Sequence, residues 1–177
     1  MVALVAGLAL GVGDRTSWLA AMLADRGKSA FAILLAAAFA FGIGNAAAAQ
    51  ASLLMPVMTP NAANLLLAMA LAFAGVGALW GARRPASFSG WPAFLGLLVL
   101  GFGEGMQFVT FALANGASVP AFAAVGATIG TLVAIAPAAV LGEKDWLKLP
   151  IRPVRIVTGV LLLLVAVILA IGALRLG

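Results

Sequence analysis

The sequence predicts an all-α polytopic membrane protein with six transmembrane helices, arranged as two inverted three-helix repeats. Three observations predict this fold: an apolar composition, six apolar stretches of spanning length, and an acidic motif that occurs once in each half. Hydrophobic residues make up 65% of the chain and charged residues only 8%, whereas soluble domains carry about 25% charged residues. Ten basic and five acidic side chains among 177 residues cannot cover a soluble surface. We therefore expect residues 1–177 to form a single transmembrane domain surrounded by membrane lipid.

The six predicted spans follow from length and local composition. A helix needs about 20 apolar residues to cross a hydrocarbon core of roughly 30 Å. Six such stretches are separated by short segments rich in proline, glycine and polar residues. The predicted spans are 2–24, 29–55, 62–82, 91–114, 119–142 and 154–174. The short connections leave no room for a separate soluble domain.

Basic residues are distributed unequally between the two sides of these spans. The first, third and fifth connections carry eight of them, the second and fourth carry none, and the C-terminal tail carries Arg175. The positive-inside rule then places the odd-numbered connections in the cytoplasm and both termini outside. Orientation in the bilayer thus accounts for the net charge of +5, and no nucleic-acid partner is expected. The short connections and small size favour a bacterial inner membrane.

Histidine and cysteine are both absent from the chain. Their absence excludes disulfides, zinc-ribbon sites and catalytic triads built on either residue. A metal ion would have to be held by oxygen atoms, which suits hard cations such as Ca²⁺, Mg²⁺ and Mn²⁺. We expect neither an enzyme nor a resident cofactor, because the acidic residues lack the arrangement of a recognised catalytic motif.

An internal repeat relates the two halves of the chain. "GVGDRTS" begins at residue 11 and "GFGEGMQ" begins at residue 101. At this offset three pairs of residues align: Gly11 with Gly101, Gly13 with Gly103, and Asp14 with Glu104. Because each half contains three spans, the second half must enter the membrane from the opposite side. The sequence therefore predicts an inverted repeat, 1–82 and 91–177, as in many secondary transporters.

Asp14 and Glu104 are the only acidic residues within the predicted spans. Along straight helices each lies roughly 16 to 20 Å from a membrane boundary, which is close to the midplane. A charged side chain at that depth costs about 2.5–3.5 kcal/mol, so a functional role is expected. Ser17 and Gln107, each three residues after an acid, add oxygen atoms on the same helix faces, and Thr16 flanks Ser17. We expect an oxygen-lined cavity whose carboxylates bind a cation and a proton alternately.

Other polar and small residues in the spans allow two interpretations. Asn45, Gln50, Thr128 and Thr131 are either further ligands or partners in hydrogen bonds between helices. Thr110 lies three residues beyond Gln107, near Glu104 in the predicted span. A structural ion pair between Asp14 and Arg15 is the alternative to an ion site. Gly7 with Gly11, and Gly126 with Gly130, have the small-xxx-small spacing of closely packed helix faces.

The repeated motif resembles that of the Gdt-one-type calcium/manganese:proton antiporters. Their pattern is Glu-x-Gly-Asp-(Lys/Arg)-(Thr/Ser), once in each half. The first copy here matches at four positions, Gly13, Asp14, Arg15 and Thr16, and the second at Gly103, with Glu104 replacing the aspartate. The resemblance implies exchange of Mn²⁺ or Ca²⁺ for protons. The expected ligands are Asp14, Glu104, Thr16, Ser17 and Gln107, with Arg15 tuning the charge.

The chain departs from this pattern at the leading glutamates, which are replaced by Gly11 and Gly101. Two alternatives to a cation transporter therefore stay open. One is a membrane scaffold or accessory member that has lost the ion site. The other is an exporter of small organic solutes, in which Arg15 would hold a substrate carboxylate.

Overall fold

The computed structural model describes residues 1–56, 58–80, 95, 96, 99 and 105–175, and within them the chain is helical without strands. Seven helices are bounded in this part of the chain. They are α1 (Val2–Gly11), α2 (Arg15–Asp25), α3 (Ala30–Leu53), α4 (Pro60–Trp80), α5 (Gly105–Asn115), α6 (Pro120–Trp146) and α7 (Ile151–Arg175).

The described helices include four that are long and apolar enough to cross a membrane, namely α3, α4, α6 and α7. Together, α1 and α2 make a fifth candidate span, bent by 60° at the break between them. Large apolar side chains point outward: Phe39, Phe73 and Ile168 are 65%, 67% and 69% exposed. Water-facing surfaces rarely carry such extended apolar area, whereas a lipid-facing surface requires it. This is the architecture of an α-helical membrane protein.

Most of the predicted span boundaries agree with the helices to within a few residues. The predicted spans 29–55, 62–82, 119–142 and 154–174 correspond to α3, α4, α6 and α7. The predicted span 91–114 includes most of α5, and much of its remainder lies outside the described residues. The prediction of one continuous helix over 2–24 is wrong, because the helix stops after Gly11 and restarts at Arg15.

Close backbone packing joins α1 to α6. A Cβ atom at Gly7 would lie 2.6 Å from the carbonyl oxygen of Ala127, and one at Gly130 would overlap the carbonyl of Leu4. Small residues let two membrane helices approach until backbone meets backbone, which increases van der Waals contact. The prediction that these glycines form close-packed helix faces is confirmed.

A backbone break near the end of α6 brings that helix to the end of α2. Gly142 has φ 73° and ψ 176°, so the regular helix stops there, where the predicted span also ends. A Cβ atom at this position would overlap the carboxylate of Asp25. The positive φ angle and the close approach of Asp25 both require glycine. The connections that follow Asp25 and Gly142 therefore lie side by side.

The connection between α6 and α7 carries an exposed ion pair. Lys148 Nζ donates a hydrogen bond of 2.6 Å to Asp145 Oδ1. This hydrogen bond raises the pKa of Lys148 above its ordinary value. Both side chains are exposed, as expected of a segment outside the lipid.

Helix α6 lies at the centre of the bundle and packs against α1, α2 and α3. Helix α4 packs mainly against α7, and α5 packs against α3 and α4. Two apolar clusters fill the interior, one between α2, α3 and α6, and one between α4, α5 and the start of α6. The break between α1 and α2 lies at the edge of this interior, facing α6 and α7.

Candidate cation site

Asp14 lies in the break between α1 and α2, directly before the first residue of α2. Val12 and Asp14 are extended (φ −71°, ψ 115° and φ −75°, ψ 172°), and Gly13 between them has φ +74°. A side chain at Gly13 would overlap Ile151 of α7, so glycine is needed for space as well as for conformation. Asp14 is half-buried. The depth estimated along a straight helix therefore does not apply to it.

Ser17 connects the two halves of the broken span. Its side chain is fully buried, and its hydroxyl donates a hydrogen bond of 2.7 Å to the carbonyl oxygen of Gly11. This carbonyl belongs to the last turn of α1 and lacks a partner within that helix. Ser17, one of the predicted ligands, thus holds the junction together, and its hydroxyl proton is engaged in this hydrogen bond.

Thr16 has a buried hydroxyl for which the structure shows no hydrogen-bond partner. An unsatisfied buried polar group costs about 1–3 kcal/mol, so such groups are rare in folded proteins. Thr16 is the second residue of α2, where the backbone N–H groups also lack partners within the helix. An oxygen atom without a partner therefore lies within two residues of the Asp14 carboxylate.

Arg155 of α7, rather than Arg15, is the basic residue that packs against the break, at Gly13. The side chain of Arg15 is exposed. Arg155 is half-buried, and a Cβ atom at Gly13 would lie 2.7 Å from its Cδ. Its guanidinium donates a hydrogen bond of 3.4 Å to the carbonyl oxygen of Gly77 in α4. Arg155 is one of the eight basic residues assigned above to the connections, but it falls inside the predicted span 154–174, and this position was the signal in the sequence.

Of the two predicted ligands in the second half, Glu104 and Gln107, the structure describes only Gln107. Glu104 lies outside the described residues, as do Gly101 and Gly103. Gln107 lies in α5, where its side chain is half-buried and engaged in an interaction. The structure thus brings Asp14, Thr16 and Ser17 together at the break.

The atoms at the break that could coordinate a metal ion are oxygens. Asp14 supplies a carboxylate, Thr16 a hydroxyl, and the end of α1 a set of backbone carbonyls. Such oxygen atoms suit hard cations. Within the described ranges, no three acidic, histidine or cysteine side chains come together as a metal-binding group.

Asn45, Thr110 and Thr128 form a hydrogen-bonded network between three helices. Asn45 Nδ2 donates to Thr128 Oγ1 at 3.1 Å, and Thr110 Oγ1 donates to Asn45 Oδ1 at 3.0 Å. Asn45 and Thr110 are fully buried. Thr131 Oγ1 donates to Ala127 in its own helix, at 2.8 Å. Of the two roles considered for Asn45 and Thr128, the structure shows hydrogen bonding between helices, which together with Thr110 fastens α3, α5 and α6 together. The side chain of Gln50 is exposed.

An apolar cleft of about 320 Å³ adjoins the break between α1, α6 and α7. Its lining comprises Leu8, Val12, Val133, Ala134, Pro137, Trp146, Leu149, Pro150, Ile151 and Val154. Pro137 lacks an N–H group, so the carbonyl of Val133 receives no helical hydrogen bond from it. Among the described residues, no charged side chain lines the cleft. The charged residues near it are Asp14 and Arg155.

In comparisons with known proteins, no family model matches the chain, and neither a curated protein nor a solved structure is similar to it.

Proposed function

We propose that this protein is a membrane cation transporter that exchanges a divalent cation, Mn²⁺ or Ca²⁺, for protons. The observation that supports this most directly is the interrupted span at Asp14. At the break, a half-buried carboxylate lies two residues before Thr16, whose buried hydroxyl has no hydrogen-bond partner. A cation bound at Asp14 would supply the partner that the Thr16 oxygen lacks.

Broken helices have a specific chemical use inside membranes. Many transporters bind ions where a spanning helix unwinds, because the carbonyl groups at the end of the first half-helix are free to coordinate a cation. The end of α1 offers such carbonyls, although Ser17 engages that of Gly11. Non-helical backbone at membrane depth is tolerated only inside protein or beside a water-filled cavity. The 60° break therefore favours a site over a lipid-facing surface.

The pattern of helix packing supports two inverted three-helix repeats, 1–82 and 91–177. The third spans of the two halves, α4 and α7, pack against each other, and so do the second spans, α3 and α6. The broken first span packs against α6, and α5 of the fourth span packs against α3. A two-fold axis relating the halves would pair the helices in this way. On this basis Glu104 would be the counterpart of Asp14, with Gln107 nearby.

Membership of the Gdt-one-type antiporter family is part of the same proposal. The matching residues have separate roles at the break: Gly13 permits the turn, Asp14 directly precedes α2, and Thr16 has a buried hydroxyl without a partner. The contact between Asp25 and Gly142 sets the first and fifth connections side by side. This supports the proposed orientation, with the basic connections in the cytoplasm of a bacterial cell and the termini outside.

Transport by purified protein in proteoliposomes tests the proposal. An imposed pH gradient should drive Mn²⁺ or Ca²⁺ uptake, and Asp14→Asn and Glu104→Gln should each abolish it while the protein still inserts. Glu143→Gln is the matched control, because Glu143 is an acid beyond the end of the regular part of α6, and this variant should transport normally. Normal transport by Asp14→Asn would contradict the proposal.

A non-transporting scaffold is the second candidate. It is favoured by the lack of a three-carboxylate metal-binding group among the residues that the structure describes. A ligand that binds only the folded state raises the melting temperature. If Mn²⁺, Ca²⁺ and monovalent cations all leave the melting temperature unchanged, the scaffold is the better description.

A further inference from the structure

We propose that the apolar cleft between α1, α6 and α7 is a binding site for one acyl chain of an anionic glycerophospholipid. The chain fills the cleft, an ester carbonyl of the lipid accepts a hydrogen bond from the indole of Trp146, and the lipid phosphate lies beside Arg152. This site is distinct from the proposed cation site and adds a lipid partner of defined chemistry.

The first supporting observation is the size and direction of the cleft. Its volume of about 320 Å³ lies within the range of small-molecule sites, about 300–1,000 Å³. The lining follows α6 from Val133 to Trp146, past the end of the regular helix at Gly142. From Val133 to Gly142 the helix rises by roughly 14 Å, which is about half of a hydrocarbon core of roughly 30 Å. The cleft therefore has the depth that an acyl chain of one leaflet occupies.

The second observation is a buried hydrogen-bond donor in the lining. Trp146 is 2% exposed, and its Nε1–H has no hydrogen-bond partner among the described residues. A buried indole N–H usually has an acceptor. The other described residues of the lining are leucine, isoleucine, valine, alanine and proline, whose side chains contain no acceptor. An ester carbonyl of a lipid supplies one, because it lies where the acyl chain begins, close to the end of a span.

The third observation is positive charge beside the cleft. Ile151 and Val154 line the cleft from the first turn of α7. Arg152 and Arg155 are three residues apart, so they share a neighbouring face of the same helix. Arg155 donates its hydrogen bond to the carbonyl of Gly77, whereas Arg152 is exposed and can reach a phosphate. Basic residues beside a cleft between membrane helices attract anionic headgroups, so charge complementarity favours an anionic lipid.

A bound chain would also contact the break in the first span. Val12, the residue directly after α1, lines the cleft. Ile151 lines it as well and packs against Gly13. A chain packed against both side chains adds van der Waals contact on either side of Gly13. Lipid binding should therefore stabilise the folded protein.

Thermal unfolding of the full-length protein, delipidated in detergent, tests the lipid and its charge. The probes are phosphatidylglycerol and phosphatidylcholine with identical acyl chains. Phosphatidylglycerol in large excess over its Kd should raise the Tm by about 5 °C or more, and phosphatidylcholine should raise it by less than half as much. Equal rises with the two lipids, no rise with either, or an equal rise with dodecane overturns the inference.

Two variants test the polar contacts through the rise in Tm that the lipid produces, rather than through the Tm itself. Trp146→Phe removes the N–H and should lose at least half of the rise, whereas Trp80→Phe, at an 84% exposed position, should keep it. Arg152→Gln should abolish the difference between the two lipids. Arg26→Gln removes an exposed arginine from the first connection and should preserve that difference. An unchanged response in Trp146→Phe or in Arg152→Gln overturns the inference.

Photo-crosslinking with phosphatidylglycerol that carries a diazirine in its acyl chain tests the location. Labelling should concentrate in the lining segments 133–137 and 149–154. Val133→Trp, at a 53% exposed position of the lining, should fill the cleft and lose most of this labelling. Val140→Trp is the matched control, because Val140 lies on the same helix, is 69% exposed and is outside the described lining.

Uniform labelling along the spans, or unchanged labelling in Val133→Trp, overturns the inference. So does a dimer that Val133→Trp disperses, because a second copy would then occupy the cleft. Should Val133→Trp not fold, Val154→Trp fills the cleft from α7 at a 43% exposed position. The same loss of labelling is expected from it, and retained labelling overturns the inference.

Discussion

The hydroxyl of Ser17 donates a 2.7 Å hydrogen bond to the carbonyl oxygen of Gly11 and so joins the two parts of the broken first span. The two residues lie in different helices, whose axes differ by 60°. In a continuous helix, Gly11 would instead receive its hydrogen bond from the backbone of Arg15. A side-chain hydrogen bond thus replaces one of the backbone hydrogen bonds that are lost at the break.

Ser17→Ala should destabilise the protein by about 1–3 kcal/mol, because it leaves the carbonyl of Gly11 buried without a partner. The measurement is thermal or denaturant unfolding of the purified protein in detergent. Ser118→Ala serves as the control, since Ser118 is exposed in the connection between α5 and α6. Equal stability of the two variants would mean that the hydroxyl does not hold the junction.

Thr16→Val should leave stability unchanged or increase it, because the substitution removes a buried hydroxyl that has no partner. If that oxygen binds the transported cation, the same variant should lose the rise in melting temperature that Mn²⁺ produces in the wild type. Thr16→Ser keeps the hydroxyl and should retain the rise. A stable Thr16→Val variant that still responds fully to Mn²⁺ would exclude Thr16 as a ligand.

Gly130→Ala should destabilise the contact between α1 and α6, because the new Cβ atom would overlap the backbone carbonyl of Leu4. Overpacking of this kind costs about 1–3 kcal/mol. Gly42→Ala is the matched control within α3: nothing lies within 4 Å of its Cβ position, and better helix propensity should stabilise it by up to about 1 kcal/mol. Opposite shifts in melting temperature are expected, and shifts of the same sign would argue against the close contact.

Asn45→Ala and Thr110→Val should show coupled effects on unfolding, because their side chains share a buried 3.0 Å hydrogen bond. Hydrogen bonds between membrane helices have coupling energies of about 0.6 kcal/mol on average and up to about 1.7. Thr131→Val in place of Thr110→Val provides the comparison, since Thr131 bonds within its own helix. The coupling energy between Thr131→Val and Asn45→Ala should be close to zero. A value similar to that of the Thr110→Val pair would show that the hydrogen-bonded network also includes Thr131.

Several parts of the fold could be predicted from the sequence because the bilayer imposes simple rules. Spanning length and apolar composition located the segments now seen as α3, α4, α6 and α7. The helix end at Gly142 was also predictable, since glycine there is followed by the charged residues 143–145. Asp14 and Thr16 were identified as site candidates because acidic and polar groups are costly within a span.

The break at residues 12–14 was not predicted, because glycines are common in membrane helices and do not by themselves interrupt them. The positive φ angle of Gly13 becomes necessary once Ile151 and Arg155 pack against it. Those residues lie far away along the chain, and no local pattern specifies their approach. The packing of Arg155 against Gly13 was missed for the same reason.

The sequence by itself determined that this is a helical membrane protein, and it marked the residues too polar for lipid, since these follow from composition and from hydration energies. Only the tertiary structure decided which of those polar groups meet. The backbone contacts of α1 with α6 and of α4 with α7 bring Arg155 against Gly13, beside Asp14, and such contacts depend on shape across the whole bundle.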